Sequence, residues 1–171
     1  MKKRLLIVII IAAVLVAALG GAYLLSYDRI NNQIPLIDGM YFNMSPKQTT
    51  KILGEPSEME HDANVSGKYI YTYKTAVFDK KATVTCFFVD DRKLTEVYID
   101  WEGDVEGIGT QVRDRIYDCY HDHRYFYERE STSATSVEKH RSMGIDNGAV
   151  GTYFGIDETP THLSVSCIFL R

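Results

Sequence analysis

The side chains best equipped for chemistry cluster in the run Cys119-Tyr120-His121-Asp122-His123, where thiol, imidazole and carboxylate stand together. Zinc takes such ligands. The spacing argues against it, because the run falls in a segment whose pattern predicts a helix from about Thr110 to Tyr127. On a helix, residues two apart diverge by about 200°, so His121 and His123 do not converge on one ion. Val112, Ile116, Cys119, Tyr120, His123 and Tyr127 form the apolar stripe, and His121 lies outside it. Only a helix that ends early, with an extended segment behind it, reopens a zinc site. His61, His140 and His162 are scattered. No nucleophile elbow, P-loop, HExxH or CxxC spacing occurs. The expectation is therefore no catalytic residue, no metal, no cofactor and no enzyme, an envelope hydrolase being the least favoured alternative.

Cys86, Cys119 and Cys167 are odd in number, which fits a disulfide framework poorly. Each sits in an apolar pattern and reads as a small buried hydrophobe. A Cys86–Cys167 bridge is the alternative, and it needs the two Cα atoms within about 7 Å.

Twelve tyrosines in 171 residues are more telling. Tyr69, Tyr71 and Tyr73 alternate along one predicted strand, and Tyr98 lies on another. If Val84, Cys86 and Phe88 face a core together with Val97, Ile99 and Trp101, then Phe87, Val89 and Tyr98 face away. Tyrosine offers wide contact area with a polar tip, which suits a binding surface. Tyrosines also simply suit strands. The candidate binding residues are Tyr69, Tyr71, Tyr73, Phe87 and Tyr98.

The elements that must position these side chains begin with residues 5–25, an unbroken apolar run behind Lys2, Lys3 and Arg4. A helix of that length covers about 31 Å, enough for a bilayer core. The basic cluster predicts a cytoplasmic N-terminus. The expected localisation is the cell membrane, single-pass, with residues 1–25 as a transmembrane signal anchor and an extracytoplasmic C-terminal domain. Cleavage near Leu19-Gly20-Gly21-Ala22-Tyr23 is the alternative. No cysteine follows the run, so a lipoprotein acylation site is missing. The chain's formal charge of −4 becomes −7 once the three basic residues at 2–4 are set aside. That balance argues against nucleic acid as a partner.

Residues 26–36 read as a polar stalk and 37–101 as a first unit. Within it Ser45-Pro46-Lys47-Gln48 opens a short helix, and Leu53-Gly54 with Pro56 closes it. Period-two alternation then marks strands at 68–78, 82–89 and 94–101, with a hairpin at Asp90-Asp91-Arg92-Lys93 and a frayed edge near 57–62. Residues 102–109 are an acidic, glycine-rich linker. A second unit, 110–171, repeats the plan with a helix and strands near 132–141, 149–156 and 162–170, and Asn147-Gly148 signals a hairpin. Thr83–Val89 and Ser164–Leu170 match residue class by residue class, 81 positions apart, as a duplicated unit would. The expected fold is α+β: an N-terminal transmembrane helix, then two helix-plus-antiparallel-meander (αβββ) units with their helices on one face of the sheet.

The segment Met44-Ser45 … Leu53-Gly54-Glu55-Pro56, followed by tyrosine-rich strands and a Phe-Phe-Val-Asp-Asp-Arg-Lys-Leu hairpin, resembles the outer-membrane assembly lipoproteins of the SmpA/OmlA type and the wider β-lactamase-inhibitor-protein-like fold. The likeness covers residues 43–101. Asn43 replaces the family's usual glycine, and the lipidated cysteine is missing. The resemblance implies a small αβ domain that binds proteins through its sheet, and no catalytic residues. The function read from the sequence is a membrane-anchored extracytoplasmic binding module. Its expected partners are an envelope or extracellular protein at the sheet and the lipid bilayer through residues 5–25. The alternative is an accessory subunit of a membrane complex, assembled through its transmembrane helix by the small residues at 12–21.

Overall fold

The computed structural model describes residues 11, 14–18, 20, 32–62, 67–89, 93–132, 138–146 and 151–170. The chain divides into two compact units, 1–31 and 32–171. In the first, helix is described at Ile11, Val14–Ala18 and Gly20. Spanning a bilayer takes roughly 20 continuous helical residues. Among the described residues no helix is long and apolar enough to cross a membrane. The expected transmembrane helix, signal anchor and single-pass localisation are corrected accordingly, and the rest of the run 5–25 lies outside the described residues.

The second unit runs α1 (Pro46–Leu53), β1 (Glu58–Asp62), β2 (Lys68–Val77), β3 (Lys80–Val89), β4 (Lys93–Glu102), α2 (Ile108–Tyr120), β5 (Phe126–Thr132), β6 (Lys139–Asp146), β7 (Gly151–Thr159) and β8 (His162–Leu170). All eight strands join one antiparallel sheet in the order β1-β2-β3-β4-β8-β7-β6-β5. The α+β expectation of two αβββ units under paired helices is overturned: a single eight-stranded sheet dominates, with helices of 8 and 13 residues as minor elements. Its seam is β4 against β8, where Val97 pairs with Cys167 and Ile99 with Val165. Both strands alternate buried and half-buried residues, so each buries its apolar side only when the same face continues across the seam.

β1 (EMEHD) and β5 (FYEREST) are the sheet's edges. β1 falls at the frayed edge expected near 57–62, whereas β5 starts where the helix was expected to continue and was not anticipated. α2 also stops at Tyr120, seven residues before the predicted end, and Tyr127 belongs to β5. The matched heptapeptides lie on β3 and β8, which hold different places in the sheet. Their likeness reflects shared in–out alternation and not equivalent positions.

Local chemistry places the remaining pieces. Pro46 starts α1, Gln48 Oε1 accepts the Ser45 N–H at 2.8 Å, and Gly54 at φ 86° ends the helix. Phe78 and Asp79 form the two-residue β2–β3 turn with φ of 55° and 59°. Phe78 stacks on Trp101 at 6.3 Å, a contact that offsets the strain of an aromatic residue in the left-handed region. Ile34 and Leu36, read as the end of a stalk, are buried with Met40, Phe42 and Met44 against the sheet's inner face. Phe42 stacks on Phe169 at 5.4 Å, and the buried Tyr120 hydroxyl donates to the Gln33 carbonyl. The hairpin residues 90–92 and the Asn147-Gly148 turn lie outside the described residues. Asp146 and Gly151 are partners across the β6–β7 link.

Candidate binding face

Side chains opposite each other in an antiparallel ladder share a face. Tyr69, Tyr71 and Tyr73 lie opposite Phe88, Cys86 and Val84. Those three partners are 0% exposed. The β2 tyrosines therefore point to the inner face. Tyr73 is fully buried, with its hydroxyl 3.4 Å from that of Thr50, and burial pushes its pKa up to about 12. Tyr71 sets its ring edge-on to Phe88 at 5.3 Å, and Tyr69 tilts against His61 at 4.8 Å. These three do not join the outward surface.

Phe87 and Tyr98 do face outward. Tyr98 lies opposite Thr85, and the two rings meet edge-to-face at 5.3 Å. Lys68 Nζ sits 4.6 Å over the Phe87 ring. Following the ladder gives three rows of outward positions across the strands. The first is Ile70, Phe87, Glu96, Ile168, Tyr153, Gly144 and Tyr127. The second, with Thr72, Thr85, Ser166, Gly155 and Ser142 around Tyr98, is mostly small and hydroxylated. The third carries charge: Lys74, Thr83, Asp100, Ser164, Asp157 and His140. The outward face thus grades from an aromatic-bearing row through a hydroxyl row to an ionic one along the strand direction.

Two outward tyrosines, Tyr127 and Tyr153, escaped the sequence reading. Tyr127 was hidden by the over-long helix. Tyr153 is legible in hindsight, because Thr152, Phe154 and Ile156 alternate inward around it. Gly155 makes room for Tyr153, and Gly144 for the neighbouring backbone. A Cβ on Gly155 would stand 2.7 Å from Ser166 Oγ and 3.0 Å from the Tyr153 hydroxyl, and one on Gly144 would strike the Thr152 carbonyl oxygen.

The outward phenols stay protonated. Burial raises the pKa of Tyr98, and Glu96 adds to it. Burial likewise raises Tyr153, helped by Asp157, and Tyr127, helped by Tyr153 and Asp146. In the ionic row His140 Nδ1 meets Asp157 Oδ1 at 2.5 Å, and His162 Nε2 lies 3.8 Å from Asp100 Oδ1. At one end of the face a groove of about 570 Å³ opens among Lys74, Lys81, Thr83, Asp100 and Glu102.

The helix before His121 does end early, yet His121 is committed locally. Its Nδ1 lies 2.8 Å from the Tyr117 carbonyl and its Nε2 3.2 Å from Asp122. Among the described residues no three His, Cys, Asp or Glu side chains stand together to hold a metal ion. Cys86 and Cys167 both lie opposite Val97, on either side of β4. Two strand spacings separate their backbones by about 10 Å, beyond a disulfide's reach of about 7 Å. Both thiols are free.

Compared with protein-family models, with curated proteins and with solved structures, the chain finds no match in any of the three.

Proposed function

We propose that residues 32–171 form a protein-binding module that holds a polypeptide partner against the outward face of the sheet. The observation that carries this reading is the half-buried Phe87–Tyr98 pair, set in one face with Tyr153 and Tyr127. On the outside of a folded domain such aromatics supply contact area with few rotatable bonds, which is why Tyr is enriched in interfaces. The hydroxyl and ionic rows beside them provide directional donors and acceptors, the polar complement of an interface core. An eight-stranded sheet fixes the backbone beneath these groups, which lowers the ordering cost of binding.

The test is a double substitution, Phe87→Ala with Tyr98→Ala, against Tyr117→Ala, whose ring is exposed on α2. Partner recovery on the tagged full chain should fall by roughly tenfold or more for the double variant, as loss of a central aromatic anchor does. Equal recovery from both, with unchanged thermal melts, rejects the outward face as the binding surface.

A further inference from the structure

The groove at the end of the outward face has walls of opposite sign. Lys74 and Lys81 come from β2 and β3, and Asp100 and Glu102 from β4. Thr83 lies opposite Asp100, where the β3–β4 pairing ends, and Lys81 and Glu102 stand two residues further along the two strands. Opposite charges on adjacent strands can form a cross-strand ion pair. Among the described residues no ion pair joins them. The space between them is the groove, about 570 Å³. Lys74 Nζ is turned to Thr83 Oγ1 at 2.9 Å, and among the described residues Asp100 is paired with His162 alone, at 3.8 Å. Charges of both signs thus line the same opening without neutralising each other.

We infer that this groove selects a polypeptide segment carrying both a basic and an acidic side chain, the basic one directed to Asp100 and Glu102 and the acidic one to Lys74 and Lys81. The inference rests on the outward face being the binding surface and adds the chemistry of its partner. A partner of one sign gains one wall and is repelled by the other, so complementarity favours the mixed segment and sets its direction across the strands. Phe87 and Tyr98, further along the same face, take the apolar part of that segment. These charges are accessible to solvent, so they act on partner choice and register more than on affinity.

The experiment is fluorescence anisotropy of the full chain with three labelled peptides of equal length that share the same tyrosines. One carries alternating Lys and Glu, one Lys only and one Glu only. The mixed peptide should bind roughly tenfold tighter than either other. Lys74→Glu with Lys81→Glu should weaken it and shift preference to the Lys peptide; Glu102→Lys should shift preference to the Glu peptide. Tightest binding of a single-sign peptide, no binding of any, or an unchanged preference in the charge-reversed variants overturns the inference. If charge reversal has no effect but Phe87→Ala with Tyr98→Ala abolishes binding, the outward face stands and the groove's role falls. If neither set has an effect, both fall. Sedimentation of the same proteins covers the other occupant: a dimer lost on charge reversal makes a second copy the ligand and overturns the peptide assignment. Should the paired Glu substitutions unfold the chain, Lys74→Gln with Lys81→Gln gives the same comparison.

Discussion

Tyr73 and Tyr98 lie on neighbouring regions of one sheet, and their outward or inward orientation predicts opposite consequences for the same substitution. Tyr73 is 0% exposed. A buried tyrosine covers about 150–250 Å², which at ~25 cal/mol per Å² is worth about 4–6 kcal/mol. Mutational experience with buried aromatics, ~3–5 kcal/mol for truncation to alanine, agrees. Tyr73→Ala should therefore lower the melting temperature by on the order of 10 °C or more. Tyr73→Phe removes only a hydroxyl 3.4 Å from Thr50, a long hydrogen bond worth about 0.5–1 kcal/mol. Tyr98 is half-buried on the outward face, and Tyr98→Ala should cost about 1 kcal/mol or less in stability while weakening partner binding. Urea unfolding followed by Trp101, the only tryptophan and buried at 1% exposure, reads all three variants. Equal destabilisation by Tyr73→Ala and Tyr98→Ala, or a neutral Tyr73→Ala, would refute the assignment of faces.

Three further outcomes follow from named contacts. Cys86 and Cys167 are 0% exposed and burial pushes both thiols up, so the native protein should resist alkylation at these two positions and show an intact-thiol mass without reductant; a mass deficit of two hydrogens would contradict the geometry. Tyr73 ionises at about 12 when folded and near 10 when unfolded, and burial also raises Tyr120. The stability these neutral phenols contribute is complete below about pH 10 and is lost as pH climbs toward about 12; unfolding measured across that window should steepen, and Tyr73→Phe should flatten part of the slope. Gly144→Ala drives a methyl into the Thr152 carbonyl oxygen, a backbone atom, and should destabilise by roughly 2 kcal/mol or more, whereas Gly155→Ala meets the side chains of Ser166 and Tyr153 and should displace Tyr153 at smaller cost; thermal melts that rank the two in reverse would count against the β6–β7 register.

The sequence made some elements legible because their signals are local. Ser45, Pro46 and Gln48 start α1, Gly54 stops it, and the alternation of Val84, Cys86 and Phe88 marks β3 without knowledge of any neighbour. What pattern cannot carry is pairing. Whether β4 turns its second edge to β8 or to solvent depends on a partner about 70 residues away. The inward set of β2 was ambiguous for the same reason: Tyr69, Tyr71 and Tyr73 share a side with Thr75 and Val77 while Ile70 takes the other, so neither side is plainly the apolar one. Edge strands β1 and β5 are mostly polar, so β1 shows only as a frayed edge and the Phe126-Tyr127 start of β5 merges with the helical pattern before it. Of the candidate face, Phe87 and Tyr98 could be derived from flanking buried residues, and Tyr153 could have been. Tyr127 could not, because Cys119, Tyr120, His123 and Tyr127 fit a helical stripe and only the chain turn after Tyr120 breaks it. Of the apolar run at 5–25, the described residues are helical, and no helix among the described residues is long and apolar enough to cross a membrane.

The most direct measurement is site-specific photo-cross-linking on the full chain, with a benzophenone side chain placed singly at Tyr98, at Tyr153 and at Tyr117. Adducts to a bound polypeptide should form from the first two positions, on the outward face, and not from Tyr117 on α2. Adducts from Tyr117 alone, or equal yields from all three, would show that the partner docks elsewhere and that the aromatic row is not the binding surface.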